Sequence, residues 1–325
     1  MSRAYAYKTT SAYLSSSTSG GACSQIIDNF YKKGNGAVYG VVFDVDSNIR
    51  HKRASTQEEC DSFRKSKYVR SDMSDIYRQV LEDINNGLRV LFIGTPCQIY
   101  VLNKYLGTKG VNEDALVTVD LICNGAPSHS VWVDYKNWLE DYYKKKLAYF
   151  GFREKGDKNN PYLTKAIFTD GFTLVDSPKT ACYNRLFLKK LIIPRGCFNC
   201  PFKKEERISD ITLGDFWGAE QVFHHPYLKS EVSLVLVNTQ KGEQLFGPEL
   251  LNGDDSILVE SNNKEYLEFQ KNLVSPTNFP SNYEEFWEDY KRVGIGYVLN
   301  KYADACFPLS IKYSLRKLLR KIKSM

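Results

Sequence analysis

Two cysteines three positions apart pose the chemical question. Cys197 and Cys200 form a C-x-x-C in the stretch Ile193–Gly218, IPRGCFNCPFKKEERISDITLGDFWG. Two thiolates at that spacing can hold one edge of a metal site, but zinc and iron–sulfur sites usually take four protein ligands. Two further cysteines offer themselves. Cys97 lies in LFIGTPCQ and Cys123 in VDLICNGAPS, each after a short apolar strand and inside a turn of small residues. Ligands in α/β sheets gather at the carboxyl ends of strands. Cys97, Cys123, Cys197 and Cys200 therefore compose a candidate four-thiolate site. The long gap between Cys123 and Cys197 adds about 1 kcal/mol of loop-closure cost. Four-thiolate metal binding is worth on the order of 10 kcal/mol. Spacing alone leaves ordinary buried thiols open as well, since free cysteine is among the most buried residue types.

Thiolate-only ligation favours structural zinc or an iron–sulfur cluster. Zinc sites usually use two C-x-x-C knuckles. Here two ligands stand singly on strand ends beside glycine-containing turns suited to a phosphate-bearing cofactor. That favours an iron–sulfur cluster next to a nucleotide cofactor. Cys23, Cys60, Cys182 and Cys306 lie in helical or uninformative contexts and read as ordinary core or surface thiols.

The other candidate motifs are weaker. SSSTSGGACS (residues 15–24) leads into a helix, where backbone N–H groups and the close approach allowed by Gly20 and Gly21 can seat a phosphate. It is neither G-x-G-x-x-G nor a P-loop, and no clear strand precedes it, so a Ser/Gly helix cap remains the commoner reading. Four histidines, His51, His129, His224 and His225, occupy no nucleophile motif. Arg207 and Asp210 read as a structural pair, Asp215 as a turn cap, and Phe216 and Trp217 as core.

The elements that would position these residues alternate. Helical patterns are expected at 22–33, 57–65, 73–86, 98–106, 132–145 and 179–191, and from 241. Strands are expected at 37–44, 89–93, 115–122, 147–153, 164–169, 172–175 and 233–238. The predicted class is α/β, or mixed α+β. A central mixed sheet carries flanking helices, with the candidate cluster- and nucleotide-cofactor-binding turns at strand ends and a helical C-terminal extension. Three regions are expected: 1–86, 87–250 and 251–325.

Composition sets the outer bounds. The chain has 325 residues and a net charge of +6, with basic and acidic residues interleaved, so nucleic-acid binding is not expected. The 22 tyrosines and 18 phenylalanines suit either flat cofactors or an aromatic core. SLRKLLRKIKSM (residues 314–325) has helical apolar spacing with basic residues between. It reads first as an amphipathic terminal helix and second as a peripheral membrane or acidic-partner contact. Without a signal-peptide core or a spanning apolar run, a cytoplasmic location is expected, and with it metal-binding, redox or buried cysteines rather than disulfides.

Taken in order, SSSTSGGACS, RKSKYVRSD, VLFIGTPCQIYVL, VDLICNGAPSHSVW, CFNCPF, RISDITLGDFWG and SEVSLVLVNTQKGEQLF resemble the coenzyme F-420 hydrogenase/dehydrogenase beta-subunit family, over residues 4–246. Archaeal members are subunits of hydrogenases and formate dehydrogenases. Relatives include chlorophyll-cycle reductases. Many bacterial members, to whose wording this chain comes closest, occur among polysaccharide-biosynthesis genes. The resemblance implies an iron–sulfur flavoprotein with FAD and a 4Fe-4S cluster. Its cluster ligands would be Cys97, Cys123, Cys197 and Cys200. Its flavin region would take in Ser19, Gly20, Gly21, Ser66, Lys67, Tyr68, Thr95, Pro96, Gln98, Asn124 and Gly125, with Lys67 as a charge partner for the flavin or its phosphates.

The implied activity passes electrons from an external donor, with reduced ferredoxin the expected carrier, through the cluster to FAD and on as hydride to an organic acceptor. The ferredoxin-like module of many bacterial members is not in this sequence, so a separate donor is expected. Where bacterial relatives often read D-L-I-C-H-G, this chain has Asn124. Nothing in the sequence points to coenzyme F-420 itself. Two alternatives stay open: an electron-relay subunit of a larger complex or oligomer, and a zinc-stapled, non-catalytic scaffold.

Overall fold

The computed structural model describes residues 2–305 apart from 10–12, 45–46, 112, 157–161, 251–255 and 262–263. Cys306 and the basic segment 314–325 lie outside the described residues.

Eleven strands are described: β1 (Arg3–Lys8), β2 (Gly36–Phe43), β3 (Ile49–Ala54), β4 (Arg89–Gly94), β5 (Leu116–Leu121), β6 (Leu147–Lys155), β7 (Tyr162–Phe168), β8 (Thr173–Val175), β9 (Ile211–Asp215), β10 (Ser233–Val237) and β11 (Ile257–Ser261). The principal helices are α1 (Ala22–Lys32), α2 (Ile76–Asn85), α3 (Pro96–Gly107), α4 (His129–Tyr143), α5 (Pro178–Leu188), α6 (Tyr283–Val293) and α7 (Ile295–Ala303). Eight strands make one mixed sheet in the order β11-β1-β10-β9-β5-β4-β2-β3, and β6-β7-β8 make a small antiparallel sheet. The run β2, β4, β5, β9 is parallel. It brings the carboxyl ends of β4, β5 and β9 side by side. The large sheet takes strands from all three regions marked in the sequence, β11 included.

The strands of this run are apolar in both registers because both faces are covered. On β4, Leu91 and Ile93 pack with α1 residues Ile26, Ile27 and Phe30. Val90 and Phe92 pack on the other side with Val80 and Ile84 of α2 and Ile99, Leu102 and Leu106 of α3. A separate core joins α4, α5 and the small sheet to α6 and α7 through Trp132, Tyr135, Phe150, Phe152, Tyr183, Phe286 and Leu299. Trp132 alone lies 5.0–5.8 Å, centroid to centroid, from four of these rings. Much of the aromatic content is therefore core.

Several sequence expectations change. The N-terminal stretch RAYAYK is a strand between β10 and β11, so a strand does precede the Ser/Gly loop. The expected helix at 57–65 is only a 3-10 turn at Glu59–Phe63. Helix α3 starts at Pro96, not Gln98. Thr95 caps it in a box with Gln98, which puts Cys97 in its first turn.

Arg207 does not pair with Asp210. Its guanidinium meets Asp120 of β5 at 2.6 Å, with both side chains almost wholly buried. It also donates to the Phe202 carbonyl at 2.8 Å and the Thr212 hydroxyl at 3.2 Å. Asp210 instead accepts from the Thr118 and Thr239 hydroxyls. The Arg207 contacts tie the C-x-x-C exit to the strand that ends at Cys123. Among the described residues no helix is long and apolar enough to cross a membrane.

Removing one partner of a buried pair strands the other charge. Arg207→Met should lower the unfolding free energy by about 3–5 kcal/mol, read by urea denaturation. An Asp120→Asn, Arg207→Met double variant should recover part of that loss.

Candidate functional site

The site grows from three adjacent strand ends. After β4 the chain turns through Thr95 into α3 and presents Cys97. After β5 it turns through Cys123, Asn124 and Gly125. Gly125 has φ +97°, and a Cβ there would lie 2.9 Å from Ile193. Any side chain would both strain this turn and push it off the segment leading to the C-x-x-C. Cys197 lies in a 3-10 turn, Arg195–Asn199, and Cys200 directly follows it.

The four thiols are partly exposed and reduced. They feel one another: Cys123 interacts with Cys97 and Cys197, and Cys197 with Cys97 and Cys200. Burial pushes the Cys123 thiol up to about 12 and raises Cys197 as well. Among the described residues no three His, Cys, Asp or Glu side chains converge as a single-ion site.

Two lysines sharpen the electrostatics. Burial pulls Lys190 down to about 8, with Lys203 adding to it and Cys123 opposing. Burial also lowers Lys203, against the pull of Cys123, Cys200 and Cys197. Lys190 donates to the Asn124 carbonyl at 3.4 Å and Lys203 to the Thr277 hydroxyl at 2.7 Å. Two lysines desolvated beside Cys123, one of them also facing Cys197 and Cys200, set basic groups next to these thiols. The set fits an anionic group bound through thiolates, as a cluster with four cysteine ligands is.

A cavity of about 1030 Å³ opens beside this cluster of thiols. Its volume is at the upper end for ligand sites, which suits a large cofactor. Ser19 and Gly21 line one wall, Ser66, Lys67 and Tyr68 a second, Thr95 and Gln98 a third, and Cys123, Asn124 and Gly125 a fourth. Gly20 and Pro96 are not on the wall. A Cβ on Gly20 would sit 2.1 Å from the Tyr7 carbonyl oxygen and 2.6 Å from the Ser233 nitrogen, so this glycine serves the contact of loop and sheet. Pro96 opens α3. The Ser19 hydroxyl donates to the Val232 carbonyl at 2.9 Å, and the Ser66 N–H donates to Thr18 at 3.1 Å, which binds the two predicted flavin segments together.

The Lys67 ammonium is held by the carbonyls of Ser62, Phe63 and Arg64 at 2.6–3.1 Å. Burial drops it to about 7, with nearby Lys65 lowering it further and Cys23 opposing. Cys60 belongs to the core around α1 with Cys23 packed against it, and both also line the cavity. Burial pushes Cys23 up to about 11 and Cys60 up to about 12. Cys182 is core.

The wall also holds residues that the sequence left aside. Arg153 pairs with Asp215 at 2.6 Å and lies over the Tyr162 ring at 4.0 Å. Trp217 is 48% exposed rather than core, whereas Phe216 is buried. Lys203 was within reach of sequence reasoning, because CFNCPFKK sets basic residues directly behind the ligand pair. Lys190 and Arg153 carried no local signal, since only the fold brings them here.

The family model for the C terminus of the coenzyme F420 hydrogenase/dehydrogenase beta subunit matches residues 87–252. No curated protein matches the sequence. Among solved structures, a chain from the xenon-derivatised F420-reducing [NiFe] hydrogenase complex of Methanosarcina barkeri is similar in fold. Its TM-score is 0.54 at 15% identity, over 90% of this chain and 93% of that chain. The sequence from β4 to the end of the β10 region thus carries a redox-related signature, and the chain belongs to the coenzyme F420 hydrogenase/dehydrogenase beta-subunit family.

Proposed function

We propose that the protein is an iron–sulfur flavoprotein oxidoreductase, with Cys97, Cys123, Cys197 and Cys200 holding a 4Fe-4S cluster and the adjoining cavity holding FAD. One observation carries the reading. Cys123 faces the cavity, whereas Cys97 and Cys197, which interact with it, and Cys200, which interacts with Cys197, do not line it. Thiol site and cavity share a wall. When bound, the cluster supplies one-electron transfer from a separate donor such as ferredoxin, and FAD supplies two-electron hydride chemistry toward an organic acceptor.

The chain's own residues supply the setting. Lys190 and Lys203 offset negative charge at the thiols. The N-terminus of α1, with Ser24 and Lys67 near it on the wall, offers N–H groups and a cation to a phosphate. Tyr68 packs on Phe187 at 4.8 Å and stiffens the apolar side. Polysaccharide biosynthesis is the pathway setting that the bacterial resemblance suggests. The similarity in fold to a chain of a multi-subunit hydrogenase complex supports a second reading, a relay subunit that passes electrons to a partner. Reductase activity of the isolated chain favours the first; co-purification of a catalytic partner without such activity favours the second.

Anaerobic purification tests the core of the proposal. The expected product is brown, with about four iron and about four sulfide per chain, as a 4Fe-4S cluster requires, and a releasable FAD. A colourless protein with stoichiometric zinc overturns it. Cys97→Ala should lose the cluster, and an intact cluster in that variant refutes the ligand set.

Lys67 makes a second prediction. In the protein alone burial lowers its value to about 7 while the three carbonyls favour the ammonium, so its charge is lost more readily than an ordinary lysine's as pH rises. A bound phosphate favours the charged form and raises that value. Binding must then take up a proton between about pH 7 and the ordinary lysine range of about 10.4. FAD affinity should fall as pH rises through that window. Calorimetry in buffers of different ionisation enthalpy should show this uptake, and Lys67→Met should abolish it.

A further inference from the structure

Behind Cys97 runs a buried chain of hydrogen bonds whose direction is fixed at its far end. His51 is 3% exposed and stacks on Phe92 at 5.3 Å and 7°. Its Nε2 lies 3.0 Å from the Ile93 carbonyl oxygen. A carbonyl can only accept, so Nε2 carries the proton of the neutral ring and Nδ1 is an acceptor. Nδ1 lies 2.8 Å from Ser71 Oγ, so the serine hydroxyl donates to it. Ser71, having spent its proton, accepts from Gln98 Nε2 at 2.9 Å. That fixes the Gln98 amide with Oε1 toward Thr95. Oε1 then accepts twice, from the Thr95 N–H and from the Thr95 hydroxyl, both at 2.9 Å. The Thr95 Oγ1 lies 3.2 Å from Cys97 Sγ.

The double acceptance matters. Gln98 Oε1 keeps the Thr95 N–H whatever the Thr95 hydroxyl does. The hydroxyl proton is therefore free to turn to the sulfur without leaving a buried acceptor unpaired. A free thiol can donate to Thr95 Oγ1. A thiolate on iron has no proton and can only accept.

We propose that Thr95 is a positioning residue for the cluster: its hydroxyl turns from Gln98 Oε1, which the His51–Ser71 chain fixes toward Thr95, and donates to the Cys97 sulfur once that sulfur holds iron. This rests on the ligand set proposed above. A donor to a ligating sulfur favours the more negative, reduced state and raises the reduction potential. Thr95 then acts on the cluster rather than through contact with the flavin.

The test is an EPR-monitored redox titration of anaerobically prepared wild type, Thr95→Val, Thr95→Ala and Thr95→Ser, after iron and sulfide analysis of each. The Val and Ala proteins should load like wild type and show a reduction equilibrium about tenfold less favourable, about 59 mV lower for one electron. Thr95→Ser should restore the wild-type value. Loaded Val or Ala protein with an unshifted potential overturns the inference, as does a serine variant that behaves like valine. If Val and Ala both fail to load while Ser loads, the hydroxyl is needed to hold the cluster rather than to tune it, and the inference fails. A wild-type protein without iron overturns the proposed function as well, so the two failures are distinct.

Discussion

The buried ion pair between Arg207 and Asp120 is the constraint on which the site depends. Asp120 sits three residues before Cys123, on a strand whose neighbours cover it on both sides. Arg207 follows Cys200 by seven residues and reaches back to the Phe202 carbonyl as well as to Asp120. One guanidinium thus fixes two chain segments that are remote in sequence. Such a pair costs desolvation and returns it only when its geometry and extra hydrogen bonds are complete. Here the Thr212 hydroxyl and the Phe202 carbonyl complete the bonds of the guanidinium, while Asp120 Oδ1 is buried without a hydrogen-bond partner among the described residues. The consequence is registry: the C-x-x-C loop docks against the end of β5 in one position.

With that registry set, the remaining parts follow from the sheet. The parallel order of β4, β5 and β9 places three turns on one edge, where ligands of α/β sheets gather. Two of these turns carry a thiol and the third carries the Asp215–Arg153 pair and Trp217. Behind them Lys190 and Lys203 face thiols and each other rather than carboxylates among the described residues, so the site carries like-charge strain. An anionic occupant relieves that strain, because it favours the charged form of both lysines that burial and mutual repulsion oppose.

The fold class was legible in the sequence, and so were the strand ends on which the candidate thiols stand, but individual elements and pairings were not. Cys97 and Cys123 were readable because an apolar strand followed by a small-residue turn is a local signal, and the C-x-x-C is another. Strand β1 was not, because RAYAYK is short and lies where both faces are buried, leaving no polar alternation to betray it. Gly20 was misplaced for a related reason. A glycine before a helix looks like a phosphate seat, but its missing side chain serves the backbone of Tyr7 and Ser233. Arg207 drew the wrong partner because Asp210 is near in sequence, whereas Asp120 is near only across the β5–β9 pairing. Pairing of charges over long gaps is set by topology, which local patterns do not encode.

The turn at Asn124 bears on where a proton could come from. An amide side chain can hydrogen-bond an acceptor but cannot protonate it. Asp215 is committed to Arg153 at 2.6 Å. An acceptor that gains a hydride and a proton must draw the proton from a wall group that carries one. Lys67 and Tyr68 are adjacent on that wall, and Lys67, brought to about 7 by burial, is matched to proton transfer near neutral pH. Under the proposed function the Ser66-Lys67-Tyr68 segment would combine two tasks that compete for one ammonium. A phosphate bound to Lys67 would raise its value and remove it as a donor, leaving Tyr68, while a phosphate bound elsewhere along the α1 N-terminus would leave Lys67 poised.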